Sequence, residues 1–84
     1  MLIPLIGLFA AAFTSLSYVP QVLKALPRGS TDDLSLRTLA VLAAGLALWV
    51  SYGFFKSDYV LVVANAIGFG LVAILIALKL RDVR

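Results

Sequence analysis

Apolar residues fill three long stretches of this chain, Leu2–Leu23, Leu36–Phe55 and Tyr59–Leu78, and polar residues gather in the two gaps between them. Each stretch is close to the ~20 residues that a helix needs to cross a ~30 Å hydrocarbon core. In lipid, the backbone must satisfy its own polar groups within the segment, so the pattern predicts helices at about residues 2–23, 36–55 and 59–79. The first gap, Lys24 to Ser35, holds Pro27, Gly29, Ser30, Thr31 and Asp32-Asp33, the composition of a polar turn. Asp33 or Ser35 is placed to cap the second helix by accepting a bond from a free N–H. The second gap is only Lys56-Ser57-Asp58, which forces the second and third helices into an antiparallel hairpin. Residues 1–84 therefore read as one all-α membrane domain of three helices.

Composition agrees and narrows the class. With 84 residues, 63% of them hydrophobic, and a mean hydropathy of +1.10, a soluble domain of this size would expose too much apolar surface. The chain has no cysteine and no histidine, which removes disulfides, thiolate metal sites and the usual proton shuttle. The net charge of +3 is not a nucleic-acid patch, because the basic residues sit between and after the apolar runs. Lys24, Arg28 and Arg37 flank the first gap, and Lys79, Arg81 and Arg84 follow the last run, whereas the other side holds only Lys56. The excess of positive charge predicts an N-terminus outside and a C-terminus in the cytoplasm. Ala10-Ala11-Ala12 offers small residues for a signal-peptide cleavage, but no basic residue precedes the apolar run, which continues past it; the first segment is expected to stay as a span.

Polar residues inside membrane helices carry a cost and so are informative. The second span contains Trp49, Ser51 and Tyr52, and the third contains the single amide Asn65. Counted from the hairpin tip at ~1.5 Å per residue, Trp49 and Asn65 reach similar depths within ~10 Å of the outer helix ends. An aromatic platform and an amide at one level suit a sugar, whose ring stacks on indole while its hydroxyls bond to the amide. A lone tryptophan near a helix end is more often an interfacial belt residue, and a lone asparagine is equally interhelical glue; together at one depth they balance toward a binding site. The first span has its own stripe: Thr14, Ser17 and Gln21 recur at spacings of three and four, with Gly7 and Ala10 on the same face. Thr14 and Ser17 are candidate path-lining residues, although such hydroxyls commonly bond to carbonyls of their own helix. Pro20, next to Gln21, removes a backbone donor and should kink the helix near Leu16, where a bend would let the inner segment swing. Small residues such as Ala43, Gly45, Ala64 and Gly68 permit close helix approach.

No Asp, Glu or Lys lies mid-span, so a proton- or cation-coupled carrier is disfavoured. No phosphate-binding loop and no nucleophile paired with a base is present, so neither an energised pump nor an enzyme is expected, and no cofactor or metal is required.

Taken in order, Tyr18-Val19-Pro20-Gln21, Lys24, the Gly29-Ser30-Thr31 turn leading to Leu34-Ser35, Leu48-Trp49-Val50-Ser51-Tyr52-Gly53 and Val63-Ala64-Asn65 resemble the bacterial SemiSWEET sugar transporters of the MtN3/saliva, PQ-loop group. The resemblance covers essentially the whole chain. It implies a bundle in which the third helix packs between the first and second (order 1-3-2), and a parallel homodimer around a central sugar path. It implies sugar contacts from Trp49 and Asn65, a hinge at Pro20 of the Pro20-Gln21 motif, and an outer gate of Tyr52, Lys56 and Asp58. Arginine is usual where this chain has Lys56; lysine lacks the bidentate fork, so the gate is expected to close less tightly. Helices packed at ~8–10 Å leave no polar tunnel within one bundle, which also points to two copies. The expected activity is facilitative, alternating-access transport of a mono- or disaccharide across a bacterial inner membrane. Two alternatives remain: a PQ-loop transporter of an amino acid or organic acid, and a small non-transporting membrane subunit.

Overall fold

The computed structural model describes residues 2–83, and its elements are α1 (Leu2–Ala25), α2 (Leu36–Phe55) and α3 (Tyr59–Val83). All three are long and apolar enough to cross a membrane. Arg84, counted above among the basic residues, lies outside the described residues. The starts of α2 and α3 and the end of α2 fall where the polar gaps place them. Two ends run further: α1 to Ala25 rather than residue 23, and α3 to Val83 rather than 79. The cause is tertiary, because Arg81 donates to the carbonyls of Ala25, Leu26 and Pro27, satisfying acceptors that a helix C-terminus otherwise leaves free.

Of the two candidate caps for α2, Ser35 takes the role: its hydroxyl accepts from the Thr38 N–H at 3.3 Å. Asp33 instead pairs with Lys24 at 2.8 Å. The α2–α3 turn is as tight as its length requires. Lys56 caps α2, Ser57 adopts a left-handed φ of 53°, and the Asp58 N–H donates back to the Gly53 carbonyl at 2.8 Å. The Asp58 carboxylate then accepts from the Leu61 N–H at 3.2 Å and opens α3. Gly53 is needed at this crossing, since a Cβ there would come within 3.0 Å of the Leu61 Cβ and 3.1 Å of the Val62 backbone nitrogen.

α3 packs against both other helices, while among the described residues the backbones of α1 and α2 stay apart; the order is 1-3-2. The stripe that holds α3 in place runs Leu61, Asn65, Gly68, Val72, Leu75, Lys79 and Asp82, alternately four and three residues apart, so it stays on one face. Gly68, Val72 and Leu75 on it are buried, and they meet Leu39 and Leu46 of α2 and Ala25 of α1 in the core. The remaining faces expose large apolar side chains such as Ile3, Phe13 and Phe55, as spans in contact with hydrocarbon do. With lipid as solvent, burial of apolar area does not drive the helices together, and close contacts at small residues carry more of the association. Pro20 sits inside α1, which continues through it as one helix.

Candidate functional site

In the half of the bundle nearer the α2–α3 turn, α1 and α3 diverge around a hollow of about 250 Å³. Its α1 wall is Gly7, Ala10, Ala11, Thr14 and Tyr18; its α3 wall includes Leu61, Asn65 and Gly68; Leu46 of α2 closes one side. The hollow exists because the α1 wall is made of small residues from Gly7 to Ala11, and Gly7 brings that helix close enough for a Cβ to lie 3.1 Å from Val60. Asn65 is half-buried and donates one amide hydrogen to the Leu61 carbonyl at 2.8 Å, a bond within its own helix. Among the described residues no hydrogen bond reaches its Oδ1, so that oxygen and the second N–H remain for a ligand.

Thr14 shares this hollow with Asn65, as the spacing on α1 suggested. Its hydroxyl donates to the Ala10 carbonyl at 2.9 Å. Ser17 does not line the hollow; its hydroxyl donates to the Thr14 carbonyl at 2.6 Å. Tyr18, which reading by polarity alone passed over as a site residue, does line it; its position seven residues before Ala25 and four after Thr14 was the available signal. Pro20 and Gln21 border a different hollow of about 300 Å³ at the end of α1 that leads into the first loop, with Lys24, Ser30 and Asp33. The hydrogen bond from Lys24 holds the Asp33 carboxyl below the ordinary carboxylate range. Both partners are exposed, so the pair contributes little to stability.

Trp49 is about half exposed and lies against Tyr52 in an edge-to-face pair, ring centroids 5.6 Å apart at 87°. The two rings border an open hollow of about 550 Å³ with Gly45 and Leu48, separate from that of Asn65. The reason is helical phase. Leu46 is the α2 residue that faces Asn65's hollow, and Trp49, three residues on, is turned ~60° from it about the helix axis. One protomer therefore does not bring Trp49 and Asn65 to a common hollow. Tyr52 and Lys56 follow Trp49 at spacings of three and four on the same face of α2, while Asp58 is engaged in capping α3. Among the described residues, Lys56 and Asp58 form no ion pair.

A larger hollow of about 610 Å³ lies between Leu8, Ala12 and Leu16 of α1 and Tyr59, Val63 and Ile67 of α3. Its lining is almost wholly apolar and suits hydrocarbon rather than a polar solute.

The PQ loop repeat family model matches residues 2–62. The sugar transporter SemiSWEET of Bradyrhizobium diazoefficiens is 41% identical over 80 residues, covering 95% of this chain and 93% of that protein. The chain belongs to the SemiSWEET group of the PQ-loop family. A crystal structure of a bacterial homologue of SWEET transporters superposes with a TM-score of 0.91 at 34% identity, over 98% of this chain and 99% of that one. A crystal structure of SemiSWEET in the inward-open conformation matches with a TM-score of 0.84 at 31% identity, over 95% and 93%. This chain is a multi-pass membrane protein with its helices in the order 1-3-2, and the likeness to both solved chains runs over nearly the whole length of each.

Proposed function

We propose that this chain transports a mono- or disaccharide down its gradient, by alternating access, as a parallel homodimer in a bacterial inner membrane. The observation that carries the reading is the placement of Asn65 on an uncovered hollow in the outer half, with an unengaged amide oxygen and apolar surroundings. Relatives named sugar transporters support it over the whole length. Trp49 is the second substrate contact, stacking on the sugar ring, and because it borders a different hollow of the same protomer, a site that uses both residues needs a second copy. Basic residues at the inner helix ends orient both copies alike, with the N-terminus outside and the C-terminus in the cytoplasm, which favours a parallel twofold pair. Tyr52, Lys56 and Asp58 lie at the outer end as gate, and Pro20 is the hinge beside Gln21. Thr14 lines the path; the Ser17 hydroxyl is spent on a carbonyl of its own helix. The mid-span carboxylate that a proton-coupled carrier of amino acids would use is missing from the sequence, which favours the neutral solute.

The test is sugar counterflow in proteoliposomes containing only this protein. Asn65→Ala and Trp49→Ala should each lower flux more than ~tenfold, because a buried polar partner or an aromatic platform is lost while the fold is kept. An imposed proton gradient should leave internal and external sugar equal at equilibrium. Flux indifferent to both substitutions would remove the site assignment, and no flux from the purified protein would favour a non-transporting subunit.

A further inference from the structure

At the inner ends of the helices lies a polar cluster that the binding site does not use. The Asp82 carboxylate accepts from the Gly29 N–H at 3.0 Å, the Thr31 hydroxyl at 2.7 Å and the Arg81 Nε at 2.8 Å. Its side chain is only 7% exposed, and Thr31 is fully buried beneath it. Lys79 Nζ donates to the Thr31 carbonyl at 2.8 Å. The Arg81 guanidinium spans the carbonyls of Ala25, Leu26 and Pro27 at 2.8–3.1 Å, tying the end of α1 to the last turn of α3.

We propose that this cluster is a latch that joins the inner end of α1, the first loop and the last turn of α3 into one rigid body, and that Asp82 and Arg81 are positioning residues for the inner gate. The latch stays shut through the transport cycle, and inner opening arises by bending in α1 at Pro20. Three observations carry this. One carboxylate holds two donors of the first loop, the Gly29 N–H and the Thr31 hydroxyl, that would have to be lost together, while the neighbouring Arg81 steadies its charge; charge-assisted bonds in a little-exposed site are the strong ones. One planar guanidinium reaches three successive carbonyls, a fit that fixes orientation as well as distance. By contrast, Pro20 supplies no N–H to the Leu16 carbonyl, so the compliant point of α1 lies above the latch rather than at it. The exposed Lys24–Asp33 pair is too weakly held to serve instead.

The inference rests on the transport reading, and it is tested with a disulfide in its place. The chain has no cysteine, so only introduced thiols react. Thr31→Cys with Asp82→Cys should be slowed ~tenfold when reduced, and oxidation should restore flux to within ~threefold of the parent, since the covalent bond replaces the lost hydrogen bonds. Oxidation that abolishes flux would mean the latch must open, and oxidation without effect would mean it positions nothing; either overturns the proposal, as does failure of the pair to oxidise. Asp82→Asn should lower flux ~tenfold with equilibrium sugar binding changed less than ~twofold, and unchanged flux in this variant counts against the proposal. If the parent protein carries no sugar, the transport reading fails by itself. The latch is then decided by amide hydrogen exchange at Gly29, expected to be slow in the parent and fast in Asp82→Asn; equal rates overturn it.

Discussion

At Asn65 the side chain uses one N–H to reach the Leu61 carbonyl, which already accepts a helical bond, so the helix depends on it little. Thr14, on the facing wall, differs in what it leaves open: its proton is committed to the Ala10 carbonyl, and only oxygen lone pairs remain for a solute. Thr14→Val keeps the shape and deletes the hydroxyl. It should change the KM for sugar less than ~threefold and stability by less than about 1 kcal/mol, because the lost bond is local and Ala10 keeps its backbone donor. Transport titrations and melting in detergent check both, and a KM raised tenfold would instead place the hydroxyl in direct contact with the sugar. The shared face of Thr14 and Gly7 was legible from spacing alone. What spacing could not give was the turn of Ser17 away from the hollow, because a hydroxyl's choice between its own helix and a cavity depends on rotamer and neighbours. The rotation of Trp49 was hidden for a related reason: counting residues fixes depth along a helix, while azimuth depends on which side chains, here Leu46, face inward.

Two helix ends show how local signals and tertiary contacts divide the work. The start of α2 at Leu36 and the turn Lys56-Ser57-Asp58 follow from a capping serine and a gap too short for anything but a hairpin. The extension of α3 to Val83 does not, since Lys79, Arg81 and Asp82 look like a polar tail until the first loop is folded against them. The stripe from Leu61 to Asp82, alternating fours and threes, was the one clue in the sequence that this tail belongs to a packed face. Hairpin geometry also makes a firm demand at Gly53. Gly53→Ala puts a methyl within 3.0 Å of Leu61 and 3.1 Å of the Val62 backbone, so α2 and α3 must separate at the crossing. Overpacking of this kind costs ~1–3 kcal/mol, and the variant should unfold earlier in thermal melts in detergent. A matched Gly45→Ala, where a Cβ meets nothing within 4 Å, should melt at or above the parent, gaining up to ~1 kcal/mol of helix propensity. Equal melting of the two would show that the crossing yields without strain.

One protomer is a thin body, 46 × 22 × 14 Å between Cα extremes, and its Asn65 and Trp49 open on separate hollows. Three spans and an antiparallel hairpin were readable from apolar runs, whereas the central place of α3 was not, because one packed stripe does not say which helices meet it and the mid-span residues around it are apolar as well. The resemblance to SemiSWEET supplied that order, and the packing agrees. If substrate lies between two copies, each copy gives half of the site, and activity belongs to the pair. Co-expression of parent chains with Asn65→Ala chains separates this from independent protomers. With random pairing, dimers lacking any defective copy fall as the square of the parent fraction, so an equal mixture should retain about one quarter of full flux. Independent protomers would retain about one half, because each would carry its own site. The fraction of each chain in the purified mixture is read by intact mass, and flux is plotted against it. A quadratic curve ties the amide on α3 to a site shared across the twofold axis; a straight line would return the path to a single three-helix bundle, where Asn65 and Trp49 border separate hollows.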